Sequence, residues 1–403
     1  MDSSNKLFLL DAYALIYRAY YAFIKNPRIN SKGFNTSAIL GFVNTLEEVL
    51  KKENPTHIGV AFDPAGPTFR HEAFEQYKAQ REETPEAIRL SVPIIKDIIR
   101  AYRIPILEVA GYEADDVIGT LATEAGRQGI TTYMMTPDKD YGQLVSDKVF
   151  MYRPKHTGGF EVMGVEEVKA KFDIQSPAQV IDMLGLMGDS SDNIPGCPGV
   201  GEKTAQKLIS EFGSIENLLE HTDQLKGALK TKVETNREMI TFSKFLATIK
   251  IDVPIQLEMD SLVREEADED SLRSIFEELE FRTLIDRVLK KGVSGNGITS
   301  TPGSKVATGK SAPSPLPLFP EEGGGIQGDL FANFTPNEPD EAKKSNLETL
   351  ESQSRNYQLI DTEEKRREIV QKLLTSKILS LDTETTGTEP MDAELVGMSF
   401  SIA

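Results

Sequence analysis

Three short apolar runs in the first third of the chain end at or just before aspartates, and this feature constrains the fold more than any other. They are KLFLLD, ending at Asp11; HIGVAFD, ending at Asp63; and TTYMMTPDKD, with Asp138 and Asp140 just past its apolar part. Short uninterrupted apolar runs read as strands buried on both faces, as in a parallel sheet. Amphipathic stretches such as GFVNTLEEVLKKE and AIRLSVPIIKDIIRAY lie between them. Strand and helix alternate, so the expected fold is α/β, a parallel sheet with flanking helices. Ligands in such sheets sit beyond the carboxyl ends of the strands, which gathers the acidic tips along one edge.

Two more acidic groups follow. GYEADDVIGTLATEAGRQG sets Glu113, Asp115 and Asp116 before an apolar-periodic helix. A capped helix start accounts comfortably for one acid there and less well for three. LMGDSSDNIPGCPGVGEKTAQKL sets Asp189 and Asp192 three residues apart. Like charges gathered this closely raise one another's pKa, and hard divalent ions with oxygen ligands, Mg2+ or Mn2+, are the natural compensation. Two such ions roughly 4 Å apart can activate a water and stabilise the leaving oxygen of a phosphodiester.

The loop after Asp192 resembles a helix–hairpin–helix element. Gly199 and Gly201 allow close backbone approach to a phosphate, a helix start offers free N–H groups, and Lys203 and Lys207 share a helix face. A solvated surface helix after a glycine turn is the plainer reading. In TFRHEAFEQYKAQREETPE, the residues Arg70, Phe74, Tyr77, Lys78 and Arg81 recur at helical spacing. That pattern fits a solvated basic face, and it also suits single-stranded nucleic acid, held by stacking and phosphate pairing.

Composition limits the function classes only weakly. The net charge of −18 offers no support for nucleic-acid binding, yet binding needs only a local basic track. The single cysteine, Cys197, excludes an intrachain disulfide or a cysteine metal cluster. No apolar run approaches the ~20 residues of a membrane span, and the N-terminus lacks a signal-peptide pattern, so no membrane association and a cytoplasmic location are expected.

From about Val165 to Lys290 the pattern is helical. A stretch rich in Gly, Ser, Pro and Thr follows and reads as a flexible linker. Order returns near YQLIDTEEKRREIVQKLLTSKILSLDTETTGTEP, read as a strand, a helix and another strand, and the sequence stops within an apparent strand at LVGMSFSIA. The expected organisation is an α/β region at 1–175, a helical region at 176–290, a linker at 291–354 and the beginning of a further domain at 355–403.

Five motifs occur in the order characteristic of one family: LLDAYALIYRAYYAF, AFDPAGPTFRHEAFEQYKAQR, EADDVIGTLA, TPDKDYGQL and MGDSSDNIPGCPGVGEKTAQKL. Over roughly residues 1 to 290 the chain resembles the 5′-nuclease domain of the bacterial polymerase I family, within the flap endonuclease family. Ala12 stands where relatives often carry glycine, a small change beside an intact Asp11. The resemblance implies a helical arch over the sheet edge and a helix–three-turn–helix that binds duplex DNA. It implies metal-dependent cleavage of 5′ flaps and nicked strands in replication and repair, by a monomer acting at the nucleoid. It places Asp11, Asp63, Glu113, Asp115, Asp116, Asp138, Asp140, Asp189 and Asp192 at the metal site, and Lys78 and Arg81 at the scissile phosphate. Arg70, Tyr77, Gly199, Gly201, Lys203 and Lys207 become DNA contacts, and the loop GCPGVGEK a site for K+. From about Tyr357 the chain resembles the start of an RNase H-like 3′–5′ exonuclease, with Asp382 and Glu384 as the first metal ligands of an incomplete site. Two rivals are a phosphatase-like enzyme, disfavoured because Asp11 lacks an acid two residues on, and a non-catalytic DNA-binding scaffold, which would tolerate loss of acids that are all present.

Overall fold

The computed structural model describes residues 5–155, 159–289, 359–376, 379–385 and 395–402. Six strands form one sheet: β1 (Lys6–Asp11), β2 (His57–Ala61), β3 (Ile106–Leu107), β4 (Thr131–Met135), β5 (Val149–Pro154) and β6 (Phe160–Met163), in the order β3-β2-β1-β4-β5-β6. The first five are parallel, and β6 pairs antiparallel with β5. The sheet is therefore mixed: the expected parallel strands carry one antiparallel edge strand, β6. The short segment between β5 and β6 permits a return beside β5, whereas a parallel neighbour needs a crossover of a dozen residues or more.

The strands alternate their apolar side chains between two cores. Leu7 and Leu9 face a core built with α5 (Ala114–Arg127) and the helical region that follows. Phe8 and Leu10 face the opposite core, with α1 (Ala12–Ala22), α2 (Ser37–Lys52) and α4 (Glu86–Ala101). All four side chains are fully buried. Burial on both faces is why β1 reads as an unbroken apolar run.

Between β2 and α4 lies the short helix α3 (Phe69–Ala73). After β6 come α6 (Val165–Phe172), α7 (Gln179–Met187), α8 (Glu202–Phe212), α9 (Ile215–Glu220), α10 (Gly227–Thr235) and α11 (Arg237–Ala247). The last helices before Lys290 do not stay with this cluster. Leu272, Phe276, Leu279 and Leu284 return to the α2/α4 side of the sheet and fill its core beside Ile95 and Ile99.

The α7–α8 connection is fixed by a close backbone crossing. Asp189 and Ile194 exchange backbone hydrogen bonds of 2.9 and 2.8 Å, and Cys197 N donates to Leu186 O at 2.7 Å. Gly188 (φ 73°) and Gly196 (φ 59°) meet where a Cβ on either would lie within 2.4 Å of backbone atoms. Only glycine fits both the left-handed dihedrals and the contact.

A separate compact unit holds the helix Glu363–Thr375 and the antiparallel strand pair Leu379–Thr385 and Leu395–Ile402. Leu359 and Ile360, read above as part of a strand, have no regular structure. The expected linker at 291–354 lies outside the described residues. No helix among the described residues is long and apolar enough to cross a membrane.

Candidate metal centre and nucleic-acid interface

The acids converge as the strand ends predict. Asp11 is the last residue of β1 and caps α1, accepting from Ala14 N at 3.1 Å. Its other oxygen accepts from Tyr141 Oη at 3.1 Å and Thr136 Oγ1 at 3.3 Å. Asp63, two residues beyond β2, accepts from Ala114 N at 2.7 Å, which joins it to the start of α5. Oxygens of Glu113, Asp115 and Asp116 come within 4.8 Å of one another. Asp138 follows β4 and accepts from Asp140 N at 2.9 Å. The tight turn after α7 presents Asp189 and Asp192; Asp189 Oδ2 lies 3.1 Å from Lys139 Nζ and its Oδ1 accepts from Ser191 N at 2.8 Å.

Electrostatics show how crowded this edge is. Burial, then the charge of Asp63, raises the Asp11 pKa from 3.8 to about 7. Asp115 and Asp140 are pushed well above the carboxylate range, first by burial and then by Asp116 and Asp138 respectively. Burial also raises Asp63, against the opposing pull of Lys78. Glu113 and Asp192 go the other way. Burial pushes both up, but Lys78 with Arg70 holds Glu113 below its ordinary value, and Lys78 with Arg81 holds Asp192 below.

The donor set fits a hard divalent cation: carboxylate oxygens only, in excess of the cations that face them. One oxygen, Asp140 Oδ1, is buried without any hydrogen-bond partner. A buried unpaired carboxylate oxygen is costly, and a bound cation relieves that cost.

Without metal, the raised acids oppose folding at neutral pH. An acid whose folded pKa is raised gives stability that is complete below its unfolded pKa and lost as pH rises through the folded value. Asp11, moving from 3.8 to about 7, accounts for roughly 4 kcal/mol by itself. Thermal melts in EDTA should therefore show Tm falling between pH 5 and pH 8, with Mg2+ restoring it at pH 8. A Tm in EDTA that is flat or rises over this window contradicts the crowded site.

Three assignments change. The spacing of Arg70 to Arg81 predicts one helix, but α3 stops at Ala73 and Phe74 turns to extended backbone. The following segment folds onto the 189–194 turn: Lys78 (φ 57°) donates its N–H to Asp192 O at 3.0 Å, Gln80 Nε2 to Ser190 O at 2.6 Å, and Asn193 Nδ2 to Gln76 O at 2.7 Å. These tertiary bonds replace the helical ones, so the described residues show no helical arch here. Arg70 is 1 % exposed and Tyr77 3 %, so neither offers a surface to DNA. Arg70 is instead bound to Glu113 and Asp116, while Tyr77 Oη donates to Glu113 at 3.0 Å and Asp192 at 3.1 Å. Lys78 and Arg81 do face the acids: Lys78 Nζ is 2.6 Å from Glu113 Oε1 and 3.6 Å from Asp192 Oδ2, and Arg81 Nη2 pairs with Asp192 Oδ1.

Gly199, in left-handed conformation (φ 75°), and Gly201 precede α8, where Lys203 and Lys207 are exposed. A residue the sequence did not flag, Lys232 of α10, reaches back to Gly199 O at 3.3 Å. Asp382 and Glu384 lie on the strand Leu379–Thr385, opposite Ser399 and Gly397.

A sheet edge lined with carboxylates, faced by Lys78, Arg81 and Lys139 and followed by a glycine-bearing basic helix start, defines a class of site: one suited to hard cations and phosphate. Residues 6–173 match the family model described as 5′-3′ exonuclease, N-terminal resolvase-like domain, and residues 175–270 the one described as 5′-3′ exonuclease, C-terminal SAM fold. Together these span more than half of the chain, which belongs to the 5′–3′ exonuclease family. DNA polymerase I of Bacillus subtilis is 43 % identical over 291 residues, covering 72 % of this chain and 33 % of the relative. DNA polymerase I of Chloroflexus aurantiacus is 36 % identical over 402 residues, covering 98 % of this chain and 40 % of the relative. The chain thus spans well under half the length of these relatives. Among solved structures, a zinc-bound T5 5′-exonuclease aligns with TM-score 0.51 at 21 % identity, covering 69 % of this chain and 99 % of its own. The Rad2 catalytic core in complex with DNA aligns with TM-score 0.50 at 17 % identity, covering 72 % and 93 %. At these identities the structural likeness establishes the fold alone.

Proposed function

We propose that this chain is a divalent-metal-dependent 5′–3′ exonuclease and flap endonuclease that hydrolyses phosphodiesters at 5′ flaps and nicks in duplex DNA during replication and repair. The observation that carries this reading is the convergence of acids from three strand ends, the α5 start and the 189–194 turn on one edge, beside Lys78 and Arg81. Asp11, Asp63, Glu113, Asp115, Asp138, Asp140, Asp189 and Asp192 would hold the ions, Mg2+ by preference and Mn2+ as substitute. Bound there, they supply Lewis acidity and lower the pKa of water.

The chain's own residues bind and orient the substrate. Lys78 and Arg81, now paired with Glu113 and Asp192, exchange these partners for the scissile phosphodiester and neutralise charge that grows on its oxygens. Tyr77 fixes the two acids relative to each other through its hydroxyl. Lys203, Lys207, the N–H groups opening α8 and the backbone at Gly199 and Gly201 hold a duplex phosphate at a distance from the cut. A potassium ion on carbonyls of the 196–201 turn belongs to the same proposal, as does action as a monomer at the nucleoid. Asp382 and Glu384 are proposed as the first pair of ligands of a 3′–5′ exonuclease site.

Cleavage of a 5′-labelled flap duplex with and without Mg2+ tests the reading; binding without a cut in any divalent ion sinks it. Lys203→Ala should weaken duplex binding and reduce the slope of log affinity against log salt by about one. Binding curves at several salt concentrations check this, and an unchanged slope removes Lys203 from the interface.

A further inference from the structure

We propose that Arg70, together with Asp116, is a positioning residue that couples the helical region to the metal-binding acids, so that DNA seated on the α7–α8 turn sets the geometry of Glu113 and Asp115. The inference rests on the nuclease reading and assigns Asp116 a different part from the one its family position implies.

The guanidinium of Arg70 is buried and uses five hydrogen bonds to join three segments. It makes a two-pronged pair with Asp116, Nη1 to Oδ2 and Nη2 to Oδ1, both 2.8 Å. Nη1 also donates to Glu113 Oε2 at 2.9 Å. Nε donates to Leu246 O at 2.9 Å and Nη2 to Thr248 O at 2.8 Å, at the carboxyl end of α11. Asp116 is wholly buried, and its two oxygens also accept from Lys250 N at 2.8 Å and Glu113 N at 3.1 Å. A carboxylate has about four acceptor positions, and all of these are used. Asp116 therefore has no oxygen left for a cation, unlike Asp140.

The strap continues in both directions. Gln143 accepts from Ile249 N at 2.9 Å and donates to Ala247 O at 3.0 Å, so residues 246–250 are tied to the catalytic layer at consecutive positions. Further back on α11, Ser243 Oγ accepts from Gly196 N at 2.9 Å, inside the turn that carries Asp189 and Asp192 and leads to Lys203. One helix thus touches the DNA-facing turn at Ser243 and the acids of α5 through Arg70. A lysine at 70 keeps the charge but cannot reproduce the planar fork.

The test compares Arg70→Lys, Asp116→Asn and Asp115→Asn in the full chain, with melts in EDTA and single-turnover cleavage of a 5′-flap duplex over a Mg2+ titration. Asp116→Asn should lower Tm, because it breaks a saturated buried pair, whereas Asp115→Asn should raise it by relieving repulsion. Arg70→Lys should raise the Mg2+ midpoint and slow cleavage at saturating DNA about 10- to 100-fold, with duplex affinity in Ca2+ unchanged. If a single variant does not fold, Arg70→Leu/Asp116→Leu, which removes both buried charges, should fold and still show the raised midpoint. A Tm increase for Asp116→Asn, or a wild-type rate and Mg2+ midpoint for Arg70→Lys or the double variant, overturns the proposal. Wild-type protein that cuts no flap would sink the nuclease reading instead, and the melts in EDTA would still decide the part of Asp116.

Discussion

Asp140→Asn is expected to cut flap cleavage by ~100-fold or more and, in the same protein, to raise Tm in EDTA. Both effects come from one atom. Asp140 Oδ1 is buried with no donor, and burial with Asp138 and Asp189 nearby pushes the carboxyl well above its ordinary pKa. Removing the charge relieves repulsion in the metal-free fold and takes away one of the ligands proposed for the ions. The activity loss should exceed the 10- to 100-fold typical of partners that only orient a ligand. Single-turnover rates and melts on one preparation check the pair of signs. Activity within a few-fold of wild type, or a lower Tm in EDTA, removes Asp140 from the metal site.

Lys78→Met should slow the chemical step on the order of 100- to 1000-fold at saturating DNA, the scale of losing one donor aimed at developing charge. Its effect on stability should be opposite to that of Asp140→Asn. Lys78 holds Glu113 and Asp192; without it the buried Glu113 loses its closest cation and Asp192 is left with Arg81. A loss of a few kcal/mol fits the breaking of a buried pair. Methionine keeps the stem beside the Tyr77 ring, over which the Lys78 ammonium sits at 4.8 Å. Duplex binding should barely change, since the proposed duplex grip lies on α8. Equal losses in rate and affinity would contradict that division.

The sheet and its acidic edge were legible because buried strands and strand-end acids are local signals. Leu7 to Leu10 is one apolar run, and Asp11 follows it without a gap. What was not legible depends on direction and tertiary pairing. Asp115 and Asp116 are neighbours in sequence, but adjacent helix positions face different ways, and only one is enclosed by Arg70 and Lys250 N. The capped-helix reading of that motif holds for Asp116, whose oxygen accepts from the N–H of Glu113. Arg70 and Tyr77 looked like an exposed basic and aromatic face, because spacing alone does not tell a solvated helix face from a buried one. Tyr141, which donates to Asp11, lies inside the TPDKDYGQL motif but gives no local signal, because its partner is 130 residues away. Lys232 had no local signal.

The central claim, that the acidic edge performs metal-dependent hydrolysis of structured DNA, is tested most directly by mapping cut positions on a 5′-flap duplex across a divalent-ion titration that starts from EDTA. The account predicts no cut in EDTA, saturable cleavage with Mg2+ or Mn2+, cuts clustered at the flap junction, and loss of all of them in Asp140→Asn. Duplex binding without cleavage at every ion concentration, or cleavage that persists in EDTA, would contradict it.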